Sequence, residues 1–479
     1  MNFLNRAGEI KALERAFAKK SSIAVIYGRR RLGKTELIKK FIKEKNAVYY
    51  LATKEDDAKQ LKSISSLVGL KINDEELARF GAVDWEAFFL RIKNRKSASK
   101  LVIAVDEFPY LVKSNNAIPS IFQKGWDAYL NNANIMLILS GSSMSMMQNE
   151  TISYNAPLYG RSEVILKMKQ LNIEYALNLN TTMRFEDRLL TYFIFGGVPG
   201  YYNFIEEATS FRQVLKQIFK TGSVFLEEPS ILLSEEFKKE TTYMKILDLI
   251  ASGVNKTNKI ASKLNIQPSN VVKYLEALER VDIIKKVFPV TEKPVRKSKK
   301  SVYVIRDNYL SFWFRFVKNN MEFLNIQGTD ATVEKVIKEF NSYSGRAFEN
   351  FAIEFLKSTS NEKFQISSIG KWWGVNLQKT KDKNQEEIDI IALNNDKKEI
   401  LFAECKWSNN TTGVEAYNEI KRKAKLVQWF NNERKEHYAF FSKTGFTEEM
   451  KKLSKEENIM LFDIPAIQKT VEALSKQTH

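Results

Sequence analysis

Eight residues, Gly28-Arg29-Arg30-Arg31-Leu32-Gly33-Lys34-Thr35, carry the pattern G-x-x-x-x-G-K-[ST]. An apolar run at 23–27 precedes them and an amphipathic stretch at 36–41 follows, which is the strand–loop–helix context in which this pattern binds phosphate. Gly28 and Gly33 let backbone N–H groups close on phosphate oxygens, and the N-terminus of the following helix favours an anion. Lys34 is expected to reach the β- and γ-phosphates of a nucleotide, ATP, and Thr35 to supply a Mg²⁺ ligand. Such chemistry needs a second acidic site. The run 101–105 leads straight into Asp106-Glu107, so Asp106 is expected in the Mg²⁺ shell and Glu107 beside the attacking water. A third apolar run, 135–139, ends in Ser140-Gly141-Ser142-Ser143, where Ser142 could sense the γ-phosphate, although small residues there also make ordinary turns.

A second constellation lies near the C-terminal end. Glu349 falls on a helical stretch running from Gly345 to Leu356, Asp389 on the apolar run 386–392, and Glu404-Cys405-Lys406 on the run 400–407. The last two segments read as adjacent strands that a hairpin can close, and Glu404 and Lys406, two residues apart, share a face. Asp389 and Glu404 can together hold a hard cation such as Mg²⁺ through oxygen ligands. A lysine beside them can orient water or stabilise charge as a phosphodiester is cleaved. An E-x-K triplet alone carries no information in a chain that is 28% charged; the apolar flanks and the companion acids carry it. Cys405, on the alternate face, is expected to point into the core and be inert.

The elements that must position these residues follow from the hydrophobic pattern. Residues 1–170 alternate short continuous apolar runs with amphipathic stretches, as in a parallel α/β sheet covered on both faces. Residues 171–235 read as mainly helical. Between 240 and 320 come three short helical segments: one carries Ile246, Leu247 and Ile250, a second runs 258–264 with Thr257 as cap, and a third, capped by Ser269 with Pro268 outside it, turns Val272, Leu275 and Leu278 to the core. A basic stretch, 285–301, follows, with seven Lys or Arg against Glu292. From 335 a second α/β pattern begins, including an amphipathic helix over 415–430 and a strand over 437–442.

Composition sets the outer limits. With one cysteine in 479 residues, disulfide frameworks and multi-cysteine zinc modules are excluded, and two histidines, one of them His479, leave almost nothing for a histidine-based metal site or a Ser-His-Asp triad. The net charge of +18 suits a polyanionic partner, DNA, although a lysine-rich composition also produces such an excess. No apolar run reaches the ~18–20 residues of a membrane span, and the first residues lack the apolar stretch of a signal peptide. A cytoplasmic protein with no membrane partner is expected.

Several motifs recur together: Phe3-Leu4-Asn5-Arg6 with Glu9 and Leu13, the loop 27–31, the Ser-Gly-Ser-Ser strand end, Tyr159-Gly160-Arg161 and Gly196-Gly197-Val198-Pro199. In that order they resemble the archaeal-type P-loop ATPases, an AAA-related group allied to the signal-transduction ATPases. The resemblance implies that Arg6 lies near the nucleotide base. It also makes Arg161 a candidate sensor or arginine finger, often acting from a neighbouring subunit of a homo-oligomer; the plainer reading of Arg161 is a surface ion pair. The C-terminal set of Glu349, Asp389, Glu404 and Lys406, with Trp372-Trp373-Gly374 and the 442–446 segment, resembles the PD-(D/E)XK nuclease fold, with Ile388 where the most familiar pattern has proline. The expected fold class is therefore α/β. A P-loop NTPase core (1–170) is followed by a helical lid (171–235), a winged helix-turn-helix (240–320) and a restriction-endonuclease-like domain (335–479). Three functions remain open. One is an ATP-hydrolysing protein that binds DNA through 285–301 and the C-terminal domain and cleaves it with Mg²⁺. Another is a nucleotide-switched DNA-binding or signalling ATPase whose nuclease-like domain is silent. The third is an ATPase interaction module in which the winged helix and the C-terminal domain both bind protein.

Overall fold

Strand β1 (Ser22–Tyr27) is buried along its whole length, and so are β3 (Leu101–Asp106) and β4 (Ile135–Gly141). Strands without a polar face survive only in a sheet covered on both sides, and the pairing is parallel throughout. With β2 (Ala47–Leu51) and β5 (Ser162–Lys167) the order in this computed structural model is β2-β3-β4-β1-β5. Because β4 lies between β1 and β3, the loop after β1, the acids ending β3 and the serines ending β4 open on one edge, the crevice where α/β sheets bind ligands. The structure describes residues 5–96, 99–292, 301–360, 364–376 and 384–477. No helix among them is long and apolar enough to cross a membrane.

The chain divides into two units. The first holds Met1–Gln170 together with Ser234–Lys238; the second holds Leu171–Leu233 and Lys239–His479. In the second, helices Glu240–Ala251, Thr257–Leu264 and Pro268–Arg280 precede an antiparallel hairpin of β6 (Ile284–Val287) and β7 (Val302–Ile305). Three expectations shift here. Thr257 is the first residue of its helix rather than the cap, and Pro268 opens the third helix with Gln267 as its cap, so Ser269 caps nothing. Proline suits that first position because its missing N–H has no intrahelical partner there. Val271, not Val272, joins Leu275 and Leu278 in the core, and Val272 is 37% exposed. Residues 293–300, which hold five of the seven basic residues of the stretch 285–301, lie outside the described residues.

The C-terminal sheet has the order β12-β11-β10-β9-β8, from Met460–Asp463, Lys435–Ser442, Glu399–Lys406, Gln385–Asn394 and Ser368–Val375. Strands β8, β9 and β10 pair antiparallel, whereas β10, β11 and β12 pair parallel. Glu349 rides on Lys318–Ser358, a helical run broken at Gly328, whose φ of 78° is open to glycine at little cost. The helix expected over 415–430 spans Val414–Ala424. Its end is held by Arg434, whose guanidinium takes the carbonyls of Ala424, Val427 and Trp429.

Candidate functional site

The phosphate loop is shaped by backbone that ordinary residues resist. Gly28 has φ 151°, and a Cβ there would meet the Met168 carbonyl oxygen at 2.9 Å. Gly33, at φ 85°, caps the helix Lys34–Ile42. Lys34 is buried and donates to the Gly28 and Arg29 carbonyls at 2.7 and 3.0 Å, which pins its ammonium over the loop. Burial lowers its pKa, opposed by the nearby carboxylates of Glu107, Asp106 and Glu235. The Thr35 hydroxyl donates to Asp106 Oδ2 at 2.7 Å. Sequence reasoning missed Tyr49 on β2, whose hydroxyl donates to the same oxygen at 2.8 Å; burial and Asp106 raise the Tyr49 pKa. Thr35 and Asp106 are thus a pair of oxygen ligands already at hydrogen-bond distance, a donor set that fits a Mg²⁺ ion between them and a phosphate.

Glu107 takes a left-handed backbone, φ 53°, at the start of the helix Phe108–Ser114, where Pro109 follows at once. A side chain held in that conformation carries strain and is often kept for function. Its carboxylate accepts from Ser142 twice, from Oγ at 2.8 Å and from N at 3.1 Å. Ser142, expected at the γ-phosphate, holds Glu107 through these two bonds. Both line an open cavity of about 360 Å³ with Arg30, Thr53, Lys54 and Tyr110.

The two flanking arginines are placed differently. Arg6, itself at φ 88° and buried, donates to the Leu32 carbonyl at 3.1 Å, the Lys169 carbonyl at 2.7 Å and Glu9 at 3.0 Å. It clamps the phosphate loop to the chain after β5. Arg161 is not brought to the loop. Ser162, the next residue, pairs with Ile23 at the start of β1, whereas the loop follows the end of β1. Its guanidinium forms a two-pronged ion pair with Asp127, at 2.8 and 2.6 Å. A role for Arg161 on a transferring phosphate therefore requires a second chain.

In the second unit, Ala403 pairs with Ile390 in antiparallel register, and one further step sets Glu404 across from Asp389. Asp389 Oδ2 accepts from the Cys405 N–H at 2.9 Å, and Lys406 Nζ donates to Glu404 Oε1 at 2.8 Å. Burial and the charges of Glu404 and Glu349 push the Asp389 carboxyl up to about 7. Burial opposes the charge on Lys406, yet Glu404 and Asp389 outweigh it and raise its pKa. Glu349 accepts from Lys371 of β8, a residue that sequence reasoning missed. Glu404 Oε2 is buried with no hydrogen-bond partner. An orphaned carboxylate oxygen beside a crowded second acid fits a cation, although no three Asp, Glu, His or Cys side chains among the described residues converge into a ready cage. Cys405 leaves the strand on the alternate face and keeps some exposure; its surroundings push the thiol well above its ordinary range. The hairpin adjoins this sheet: Val290 N donates to the Lys371 carbonyl at 3.0 Å, and Val290 packs against the C-terminal core.

Comparison with known proteins bears on the family and the fold. Residues 3–201 match a family model described as an ATPase domain predominantly from Archaea. An uncharacterized protein of Methanocaldococcus jannaschii is 34% identical over 471 residues, 96% of this chain and 99% of its own. The chain belongs to the archaeal-type P-loop ATPases. An uncharacterized ATP-binding protein of the same organism is 50% identical to this ATPase over 44 residues, 9% of the chain and 75% of its own. A Walker-type ATPase of Pyrococcus abyssi, 19% identical, superposes with a TM-score of 0.52 over 65% of this ATPase and 96% of its own chain, which shows the shared fold. Residues 186–311 match a domain family of unknown function. Residues 313–438 match a family described as archaea and bacterial proteins of unknown function, the restriction-endonuclease-like C-terminal domain of these ATPases.

Proposed function

We propose that this ATPase couples ATP hydrolysis to binding and Mg²⁺-dependent cleavage of DNA by its C-terminal domain. The observation that carries the reading is the meeting of Asp389, Glu404 and Lys406 on two paired strands, with Glu404 Oε2 left buried and unpartnered. In the ATP site Lys34 binds the β- and γ-phosphates, Thr35 and Asp106 hold Mg²⁺, and Glu107, oriented by Ser142, accepts a proton from the attacking water. In the C-terminal site Asp389 and Glu404 hold Mg²⁺, Lys406 orients water and stabilises charge on the phosphodiester, and Glu349 adds a further acid. Bound there, the ion would polarise the phosphodiester and lower the pKa of water. DNA is held electrostatically by the three-helix and hairpin segment, a winged helix on this reading, through the basic stretch 285–301 and the adjoining C-terminal domain. The protein works in the cytoplasm.

A second reading rests on the ion pair between Lys371 and Glu349, which already occupies one of the expected acids. It makes the protein a nucleotide-switched DNA-binding or signalling ATPase with a silent nuclease-like domain. Incubation of the purified protein with plasmid and Mg²⁺, with and without ATP, separates the two. Cleavage that disappears in Asp389→Ala and Lys406→Ala, and that depends on ATP only while Lys34 is intact, supports the first reading. Salt-sensitive DNA binding without cleavage supports the second.

A further inference from the structure

Charge develops on a phosphoryl group as it leaves ADP, and Lys34 alone is a single cation against it. Arg161 lies at the wrong edge of its own sheet to help. Arg30 does not. It is a residue of the phosphate loop itself, whose backbone wraps the β- and γ-phosphates. It lines the same cavity as Glu107 and Ser142. In the structure Arg30 Nη1 lies 2.9 Å from Glu235 Oε1.

Glu235 comes from the short segment Ser234–Lys238, which packs within the first unit although the residues on either side of it in sequence belong to the second. The neighbouring Glu236 fixes that segment. It accepts from Met144 N at 2.7 Å, Ser145 N at 3.2 Å, Ser145 Oγ at 2.7 Å and Ser143 Oγ at 3.4 Å. The segment is therefore tied to the chain just after β4, beside the Ser142 that orients Glu107. Burial raises the pKa of the Glu235 carboxyl, and Arg30 is the chief cation opposing that shift. Lys34 is electrostatically coupled to both.

We propose that Arg30 is a catalytic residue of ATP hydrolysis, acting within its own chain on the γ-phosphate, and that Glu235 competes with that phosphate for it. In the step itself a water oxygen bonds to the γ-phosphorus while the bond from that phosphorus to the β–γ bridging oxygen breaks. The water proton goes to Glu107, the electron pair leaves on ADP, and inorganic phosphate is released. Arg30 neutralises the equatorial oxygens, where its planar guanidinium can donate two parallel hydrogen bonds. A γ-phosphate draws Arg30 from Glu235, and ADP alone leaves the pair intact. The second unit continues from both ends of the Glu235 segment, so release of Glu235 is sensed where the chain leaves the ATP site.

Four readouts on the full chain test this, one of them the affinity for a non-hydrolysable ATP analogue. Steady-state ATP hydrolysis gives kcat and KM, a fluorescent ADP analogue gives product affinity, and ADP with aluminium fluoride and Mg²⁺ gives a transition-state mimic. Arg30→Ala should lower kcat by about 10³-fold, keep ADP affinity within about threefold as the control for an intact loop, and abolish aluminium fluoride trapping. Arg30→Lys, which keeps charge without the fork, should fall between. Glu235→Gln should tighten binding of a non-hydrolysable ATP analogue several-fold with ADP affinity unchanged. A kcat for Arg30→Ala within threefold of the parent, with a collapse in Arg161→Ala, would overturn the assignment in favour of an arginine supplied by a second chain. Parallel loss of ADP affinity and kcat would reduce Arg30 to a loop-folding residue. An unchanged ATP-analogue affinity in Glu235→Gln would remove the competition.

Discussion

Arg6 offers a sharp test, because its sequence context and its contacts point to different roles. The family resemblance sets it near the nucleotide base; its guanidinium is spent on the Leu32 and Lys169 carbonyls and on Glu9. In Arg6→Ala the two carbonyls lose a charged donor in a place where the side chain is 5% exposed. A buried acceptor left unpaired costs about 1–3 kcal/mol. The half-open pair with Glu9 adds less than about 1 kcal/mol. The sum is roughly 2–7 kcal/mol, large against the 5–15 kcal/mol of a typical domain. Arg6 also sits at φ 88°, so Arg6→Gly relieves about 1 kcal/mol of backbone strain that Arg6→Ala retains. The glycine variant should therefore be the more stable of the two, the reverse of the usual order. Urea unfolding of both variants, with the slope checked for constancy, gives these differences. Affinities for ATP and GTP should fall together, since Leu32 belongs to the loop and not to a base pocket. A cost below about 1 kcal/mol, joined to a changed ATP-over-GTP preference, would refute the clamp and restore the base contact.

Two further outcomes follow from named contacts. Ser142→Ala removes the 2.8 Å hydroxyl bond to Glu107 but keeps the backbone one, so kcat should drop about 10- to 150-fold, the worth of one hydrogen bond to a charged group, with KM unchanged. A rise in KM at constant kcat would instead mark a ground-state contact to the γ-phosphate. His437 has its pKa lowered, chiefly by burial and against Glu399, beneath its ordinary 6.5. The unfolded chain then binds the extra proton first, and stability should decline as pH falls through about 6.5 toward the folded value. His437→Gln should flatten that limb of a melting-temperature profile; a profile that keeps the same slope would exclude His437 as its source.

What could be read in advance follows the range of the interactions. The phosphate loop, Asp106 and Glu107 lie within a few residues of apolar runs, and β1 and β3 carry them to one edge however the rest folds. Glu404 and Lys406 were legible through strand alternation, and Asp389 through the hairpin that closes on them. Tyr49, Glu235 and Lys371 act across 57, 205 and 22 residues of chain, and no local pattern marks them. The error at Val272 is one of phase. A 272, 275, 278 series advances by three residues and drifts off the face of a helix with 3.6 per turn, whereas 271, 275, 278 stays on it. The early end of the helix at Ala424 is tertiary, set by an arginine ten residues further on.

The same physics bears on where both candidate sites place their acids: Asp106 ends β3, and Asp389, inside β9, lies one step past the last β9–β10 pair. A carboxylate buried in a sheet must find donors, and an extended strand uses its own backbone groups on its neighbours. At the end of β3 the ladder stops, and Asp106 can take a hydroxyl from Thr35, a hydroxyl from Tyr49 and the Glu107 N–H together. On β9 Asp389 takes the Cys405 N–H, and the supply ends there. Burial and the charges of Glu404 and Glu349 push its carboxyl up to about 7 against that single donor, whereas Asp106 has three donors around it. The difference bears on metal dependence. Thr35 and Asp106 are held in place by neighbours whether or not an ion is bound, whereas Asp389 and Glu404 repel each other until a cation joins them. Divalent ions should therefore stabilise the C-terminal acids more than the phosphate-loop pair, and Asp389→Asn, which removes the repulsion, should stabilise the fold in chelator while abolishing any stabilisation by Mg²⁺ at that site.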